Sequence, residues 1–298
     1  MENIKNLIFD LDNTLYDFSS VWKLSNKLVF EYLGYDKLTT YEEFFKRYKR
    51  INNELVEKIH SGELKIIDLR NERLIATLAD YNVKLTKEDC DYYYKKQFEF
   101  ILSAITPNEE LNSILEELSH NYKLIILTNG KSYEQREKLK RLQLENLFKV
   151  YISEEVHISK PKPQAFLNVL ENEGIKAEET VMIGDSLFHD IEPAKKIGMA
   201  TCLVNRKWHF DDKRKEYNGY KVNNVEVFLE KLLKKNNKRY YYFSKHKEKI
   251  NILTNIIHWT SLLKKGSMYF LFNFKIKNKK IISDSSCIKG WKGFVYLL

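Results

Sequence analysis

The side chains able to do chemistry in this sequence stand at the ends of apolar runs. Leu7-Ile8-Phe9 leads into Asp10 and Asp12, two carboxylates two residues apart. In an extended segment a period of two puts both on one side, with Leu11 turned away. Two acids crowded at the mouth of a buried strand repel each other and lose hydration. A cation, or a proton on one of them, relieves that cost. The pattern points to a hard, oxygen-liking ion such as Mg²⁺ and to acid–base chemistry in one place. The plainer alternative is a strand end with a solvated Asp in an Asx turn.

Other runs end in the same way. Lys123-Leu-Ile-Ile-Leu-Thr128 is followed by Asn129, and Val181-Met-Ile183 by Gly184-Asp185, with Asp190 five residues on. Lys160 sits in Ser159-Lys160-Pro161-Lys162-Pro163. Carboxylates, one ammonium, a hydroxyl and an amide make a kit for a metal ion and a phosphate. Asp10 and Asp185 can share Mg²⁺, which offsets carboxylate repulsion and admits a phosphate dianion. Thr128 and Asn129 can donate hydrogen bonds to phosphoryl oxygens, and Lys160 supplies a point charge. Asp190 can hold metal-bound water or orient Lys160, one step behind the ligands. With that edge neutralised, Asp10 can attack phosphorus. Asp12 can then protonate the leaving oxygen and later deprotonate the attacking water.

The elements that must position these groups follow from periodicity. After Thr14 the pattern turns helical: Val21 to Leu33, stopped at Gly34; Tyr41 to Ile59, closed by Ser61-Gly62; about Ile66 to Asp80; and Thr86 to about Leu102, with Asp89 completing a capping box. No strand interrupts these four helices, so they read as a helical insert. The stripe Tyr41, Phe44, Phe45 and Tyr48 reads as bundle core, and so do Trp22 and Phe18, rather than as a ligand face. From Pro107 helix and strand alternate: Asn108–Ser119, Lys123–Thr128, Ser132–Leu144, Val150–Ile152, Pro163–Glu173, Val181–Ile183, Asp190–Ile197, Ala200–Val204 and Val225–Leu233. This predicts an α/β fold with a doubly wound parallel sheet, in which ligands bind beyond the carboxyl ends of the strands.

Four stretches together, Asp10-Leu-Asp12-Asn-Thr14, Thr128-Asn129-Gly130, Lys160-Pro-Lys-Pro163 and Gly184-Asp185-x-x-x-x-Asp190, resemble the signature motifs of the haloacid dehalogenase-like hydrolases, in order and suitably spaced. The resemblance covers about Ile4 to Leu233. It implies a Rossmann-like core over residues 1–15 and 103–233, and a C1 cap over residues 16–102. It implies Asp10 as a nucleophile forming an aspartyl-phosphate, and Asp12 as general acid/base. Thr128 and Lys160 match the phosphate-binding residues. Asp185 matches the magnesium ligand, alongside Asp10 and the Asp12 backbone carbonyl.

An acid at the position of Asp12 favours phosphate ester hydrolysis over the carbon–halogen chemistry of other members. Asn52–Val56, His60–Leu64, Arg73 and Ser153-Glu-Glu-Val156 look like bacterial pyrimidine 5′-nucleotidases. The first expectation is therefore a nucleoside 5′-monophosphatase. The alternatives are a sugar phosphatase, a β-phosphoglucomutase-like phosphomutase, and a catalytically silent binding protein on the same fold. His189 reads as a bystander, His157 carries no assignment, and Lys162 reads as a solvated lysine.

The net charge of +9 resembles a nucleic-acid or membrane signal, but it is not spread evenly. From Lys234 onward 15 Lys+Arg face only Glu248 and Asp284, a balance of +13 that leaves −4 for the first 233 residues. The expected partner is a small phosphorylated metabolite, not a nucleic acid. Residues 234–298 read either as a basic, aromatic arm for nucleic acid or anionic membrane, or as sequence beyond the true stop. The second is preferred because a complete domain precedes them. Within this tail Phe270, Phe272, Phe274 and Ile276 alternate as in a short strand. Cys90, Cys202 and Cys287 lie far apart with no paired spacing, and no segment reads as a secretory leader or membrane span. The expected location is the cytoplasm.

Overall fold

The computed structural model describes residues 3–60, 63, 68–205, 217–236, 274–277 and 280–283. The chain divides into two compact units, Met1–Asn236 and Asn237–Leu298.

The first unit is built on one parallel sheet. Its strands are β1 (Asn6–Phe9), β2 (Lys123–Thr128), β3 (Lys149–Ile152), β4 (Thr180–Gly184), β5 (Ala200–Val204) and β6 (Lys221–Val222). Their spatial order is β3-β2-β1-β4-β5-β6, the doubly wound arrangement whose direction reverses beside the first strand. Phe9 pairs with Ile126 on β2 and with Ile183 on β4, so the carboxyl ends of these three strands lie side by side. Leu7, Ile8 and Phe9 are fully buried, as a strand covered on both faces requires. Ile8, Ile125 and Met182 pack with Phe166 and Val169 of α8 (Pro163–Glu173) and with Ala194 of α9 (Glu192–Lys196). Each such side chain removed from water contributes roughly 1.5–3 kcal/mol. The remaining core helices are α5 (Glu109–Ser119), α6 (Ser132–Arg141), the short α7 (Ser153–Val156) and α10 (Val225–Asn236).

Between β1 and α5 come α1 (Phe18–Tyr32), α2 (Tyr41–His60), α3 (Leu69–Ala79) and α4 (Lys87–Ala104). Asp17 accepts from the Ser20 amide to start α1. Thr86 and Asp89 form the expected capping box on α4. Val29 and Phe30 of α1, Phe44 and Tyr48 of α2, Leu74 and Leu78 of α3, and Tyr93 of α4 make this layer's own core. The aromatic stripe is therefore packing, as its spacing predicts. Trp22 packs against this core from a half-buried position, and with the half-buried Phe18 and with Lys23, Tyr41 and Phe45 it also lines a cavity of about 540 Å³.

Sequence and structure differ at several ends. α6 stops at Arg141, short of the expected Leu144, while the expected start of α3 near Ile66 lies outside the described residues. A π-helical turn, Leu187–Ile191, precedes α9 where one continuous helix was expected from Asp190. β6 went unseen because two residues hold no periodicity. Cys90 and Cys202 are free and buried, and Cys287 lies outside the described residues. Among the described residues no helix is long and apolar enough to cross a membrane. In the second unit β7 (Phe274–Lys277) pairs antiparallel with β8 (Lys280–Ser283), which takes up part of the alternating segment. Phe270 and Phe272 lie outside the described residues.

Candidate active site

The site forms where β1 and β4 end. Asp10, directly after β1, is 8% exposed, and its amide donates to Ile183 O at 2.9 Å. Asp190 enters from the π-helical turn after β4 and is 1% exposed. Single carboxylate oxygens of Asp10, Asp185 and Asp190 all lie within 4.8 Å of one another. Lys160, 3% exposed, reaches into this cluster from the loop before α8. Its Nζ donates to Asp10 Oδ1 and Asp190 Oδ1, each at 2.7 Å. Ser186 N donates to Asp190 Oδ2 at 3.0 Å, and Thr14 Oγ1 to Asp10 Oδ2 at 3.3 Å.

Three carboxylates around one ammonium leave surplus negative charge. Burial holds the Asp10 carboxyl well above its usual value. Lys160 opposes that rise, while Asp190 and Asp185 add to it. Burial alone would lower the Lys160 ammonium, but Asp10 and Asp190 together raise it, so it stays charged. A buried, oxygen-only donor set with excess negative charge fits a hard divalent cation.

Asp12 belongs to a separate group. Lys138 Nζ of α6 donates to its two oxygens at 2.9 and 2.8 Å. Tyr16 OH donates to Oδ1 at 2.6 Å, and Gln135 Nε2 to Oδ2 at 3.2 Å. Burial, with Asp12 beside it, raises the Tyr16 hydroxyl well above its usual value, so it remains a donor. Gln135 Nε2 also donates to Thr128 Oγ1 at 2.9 Å, which ties the end of β2 to Asp12. Asn129 spends its carboxamide on the lysine loop: Nδ2 donates to Lys160 O at 2.8 Å, and Oδ1 accepts from Lys160 N at 3.0 Å.

The model of the haloacid dehalogenase-like hydrolases matches residues 7–204. The chain belongs to that hydrolase family. It is 29% identical to a glyceraldehyde 3-phosphate phosphatase of Methanocaldococcus jannaschii, over 76% of this chain and 96% of that one. It is 31% identical to a pyrimidine 5′-nucleotidase of Escherichia coli, over 67% of this chain and 85% of that one. Among solved structures it is similar to the magnesium-bound hydrolase YfnB of Bacillus subtilis. That match has 26% identity, covers 78% of this chain and 97% of the other, and has a TM-score of 0.63. This hydrolase is an enzyme of phosphatase type.

Asp10, Asp185, Asp190 and Lys160 come together at this edge, while Asp12, Thr128 and Asn129 are tied to its neighbours, though not always in the expected role. Asp190 stands among the carboxylates themselves as well as beside Lys160. Asn129 directs its side chain at Lys160 and not at open space, because the loop before Pro161 needs an anchor. The Asp12 carboxylate accepts from Lys138 and Gln135 of α6. His189 is exposed and meets Ser186 Oγ at 3.2 Å through Nδ1, and Lys162 is exposed. Asn52 accepts from Arg73 Nη1 at 2.8 Å. Ser61, Gly62 and Leu64 of the nucleotidase-like stretch, and the His60 side chain, lie outside the described residues.

Its other stretch, Ser153-Glu-Glu-Val156, braces α6. Ser153 Oγ accepts from Gly130 N at 3.0 Å, Glu154 from Ser132 N at 2.7 Å, and Glu155 from Arg136 Nε at 2.7 Å. Sequence reasoning missed Tyr16, Gln135 and Lys138. The one signal available was Gln135 and Lys138 standing three apart on one helix, a face shared by countless solvated pairs.

Proposed function

We propose that the chain is a Mg²⁺-dependent phosphate monoesterase that works through an aspartyl-phosphate on Asp10 and acts first on nucleoside 5′-monophosphates. One observation carries the reading: a buried acid cluster sharing a lysine at the end of β1 and β4, with a second, separately held acid two residues from the first. Asp10, Asp185 and the Asp12 carbonyl would hold the ion, with Asp190 behind them. Mg²⁺ supplies positive charge to the phosphoryl oxygens and offsets the crowded carboxylates.

The chain's own groups do the rest. The Asp10 carboxylate attacks phosphorus, and the bond from phosphorus to the ester oxygen breaks. Asp12 gives its proton to that oxygen, then takes one from the water that attacks the phosphoenzyme, so phosphate leaves and Asp10 is restored. Lys160 and the Thr128 hydroxyl bind the phosphoryl group, and Asn129 holds the Lys160 loop at its backbone. Helices α1–α4 act as a cap over residues 16–102 that admits substrate.

The nucleotide reading draws on the E. coli relative and on the cavity beside Phe18. Trp22 and Phe45, in contact with ring centroids 5.9 Å apart, form an aromatic side of that cavity against which a base can lie. The M. jannaschii relative favours a second reading, a small sugar or triose phosphate, and a phosphomutase keeps the same two acids. A Mg²⁺ panel of dUMP, dTMP, glyceraldehyde 3-phosphate and hexose phosphates separates these readings. The nucleotides should lead. Sugar phosphates in front would reject the nucleotide while sparing the phosphatase, and phosphate migration on a hexose 1-phosphate would mark a mutase.

A further inference from the structure

Lys138 is 4% exposed, and Asp12 is the one carboxylate within ion-pair distance of it among the described residues. A buried ammonium is costly to keep unless its partner needs it there. Its Nζ also lies 4.2 Å from the centre of the Phe18 ring, at the first residue of α1. One turn earlier Gln135, 1% exposed, shares two amide hydrogens among Asp12 Oδ2, Thr128 Oγ1 and Asn129 O. Gly130 makes room for it. A Cβ there would stand 2.9 Å from Gln135 Nε2, and φ is +147°. α6 itself is pinned from two sides. Glu154 and Glu155 hold its first turn, while Arg70 reaches Glu134 at 3.4 Å and Phe98 meets Tyr133 with centroids 5.8 Å apart.

We propose that Lys138, steadied by α6 and seconded by Gln135 and Tyr16, is a positioning residue that aims the Asp12 carboxyl at the leaving-group oxygen. The proposal rests on Asp12 being the general acid. Four donated hydrogen bonds reach the two oxygens of the ionised carboxyl, so it cannot turn about its own axis without breaking them, and the proton it carries into the acid step must take the place of one of them on the side facing the substrate. In the step concerned, the bond from Asp10 to phosphorus forms and the bond from phosphorus to the ester oxygen breaks. The Asp12 proton ends on that oxygen. Up to and including phosphoryl transfer, a misaimed carboxyl harms chiefly substrates whose leaving oxygen must be protonated as it departs; the later attack of water is common to all substrates and does not enter kcat/KM.

The test compares kcat/KM, which reports the steps through phosphoryl transfer, for p-nitrophenyl phosphate and glycerol 2-phosphate with Mg²⁺. The nitrophenolate leaves unaided; the alkoxide does not. Lys138→Met should cut glycerol 2-phosphate turnover about 100-fold and p-nitrophenyl phosphate turnover by less than about tenfold. Lys138→Arg should recover part of the difference. Lys138→Gln, which keeps a donor, should show the same asymmetry at reduced size if the Met variant does not fold. Asp12→Asn sets the benchmark. If it is asymmetric and Lys138→Met is not, the positioning role is overturned alone. If Asp12→Asn loses both substrates equally, the general-acid reading falls and the proposal with it. A gain of activity in Lys138→Met also overturns it.

Discussion

Gly184 and Asp190 touch so closely that no larger residue fits at the first position. A Cβ on Gly184 would lie 2.5 Å from the Asp190 carboxyl carbon. The end of β4 thus lacks a side chain because the acid that holds Lys160 occupies the space. Gly184→Ala must displace Asp190, at about 1–3 kcal/mol of stability. Turnover should fall at least about tenfold, since small shifts at reacting groups are expensive. Paired melting and kcat/KM measurements check this.

Asp10 sits in surplus negative charge, so the fold and the chemistry want opposite things of it. Its carboxyl is raised above the ordinary 3.8, so the folded chain binds that proton more tightly than the unfolded chain does. The resulting penalty is absent in acid, grows as pH rises from the unfolded value, and is complete above the folded one. In metal-free protein at neutral pH, Asp10→Asn should therefore melt above the parent. The gain should vanish in acid. Turnover should drop about 10⁴-fold or more.

Glu173 works in the other direction. Burial disfavours its charge, but Tyr151 OH at 2.6 Å and Lys123 Nζ at 3.1 Å outweigh that and hold the carboxyl below the usual 4.5. The stability it adds is present above that ordinary value and is lost as pH falls through the folded one. Glu173→Gln should cost about 1–2 kcal/mol at neutral pH. The gap to the parent should close on acidification in a Tm series against pH.

Lys160 was legible in the sequence because its Lys-Pro stretch stands in order between the other motifs, and Asp10 and Asp12 because an apolar run that ends in charge leaves few alternatives. The three strands carrying Asp10, Thr128 and Asp185 were legible for the same reason. The partners of Asp12 were not. Gln135 and Lys138 sit on α6 among Glu134, Arg136, Glu137, Lys140 and Arg141, where a charged residue reads as solvated. Only the docking of α6 buries that face. The Asn129 clamp was hidden too, since it joins residues 31 apart through a loop without periodicity. The two-residue β6 is fixed by pairing with Leu203 and Val204, not by its own sequence.

The site lies in the first unit, and residues 237–298 belong to the second. The match to the M. jannaschii enzyme spans 234 residues and 96% of that protein. Removing residues 237–298 should leave the melting transition of the first unit and its kcat/KM within about twofold. A larger loss would give the tail a part in folding or turnover. A salt-sensitive shift on DNA or anionic vesicles, seen only with the intact chain, would assign it a binding role.

The most direct measurement is the covalent one. The enzyme is mixed with Mg²⁺ and substrate, quenched in acid within the first turnover, and treated with borohydride, which reduces an aspartyl-phosphate to homoserine. Peptide mass spectrometry should find homoserine at position 10 in the parent and none in Asp10→Asn. Phosphate release with no modified residue at position 10, or with the phosphoryl group on another side chain, would contradict the account.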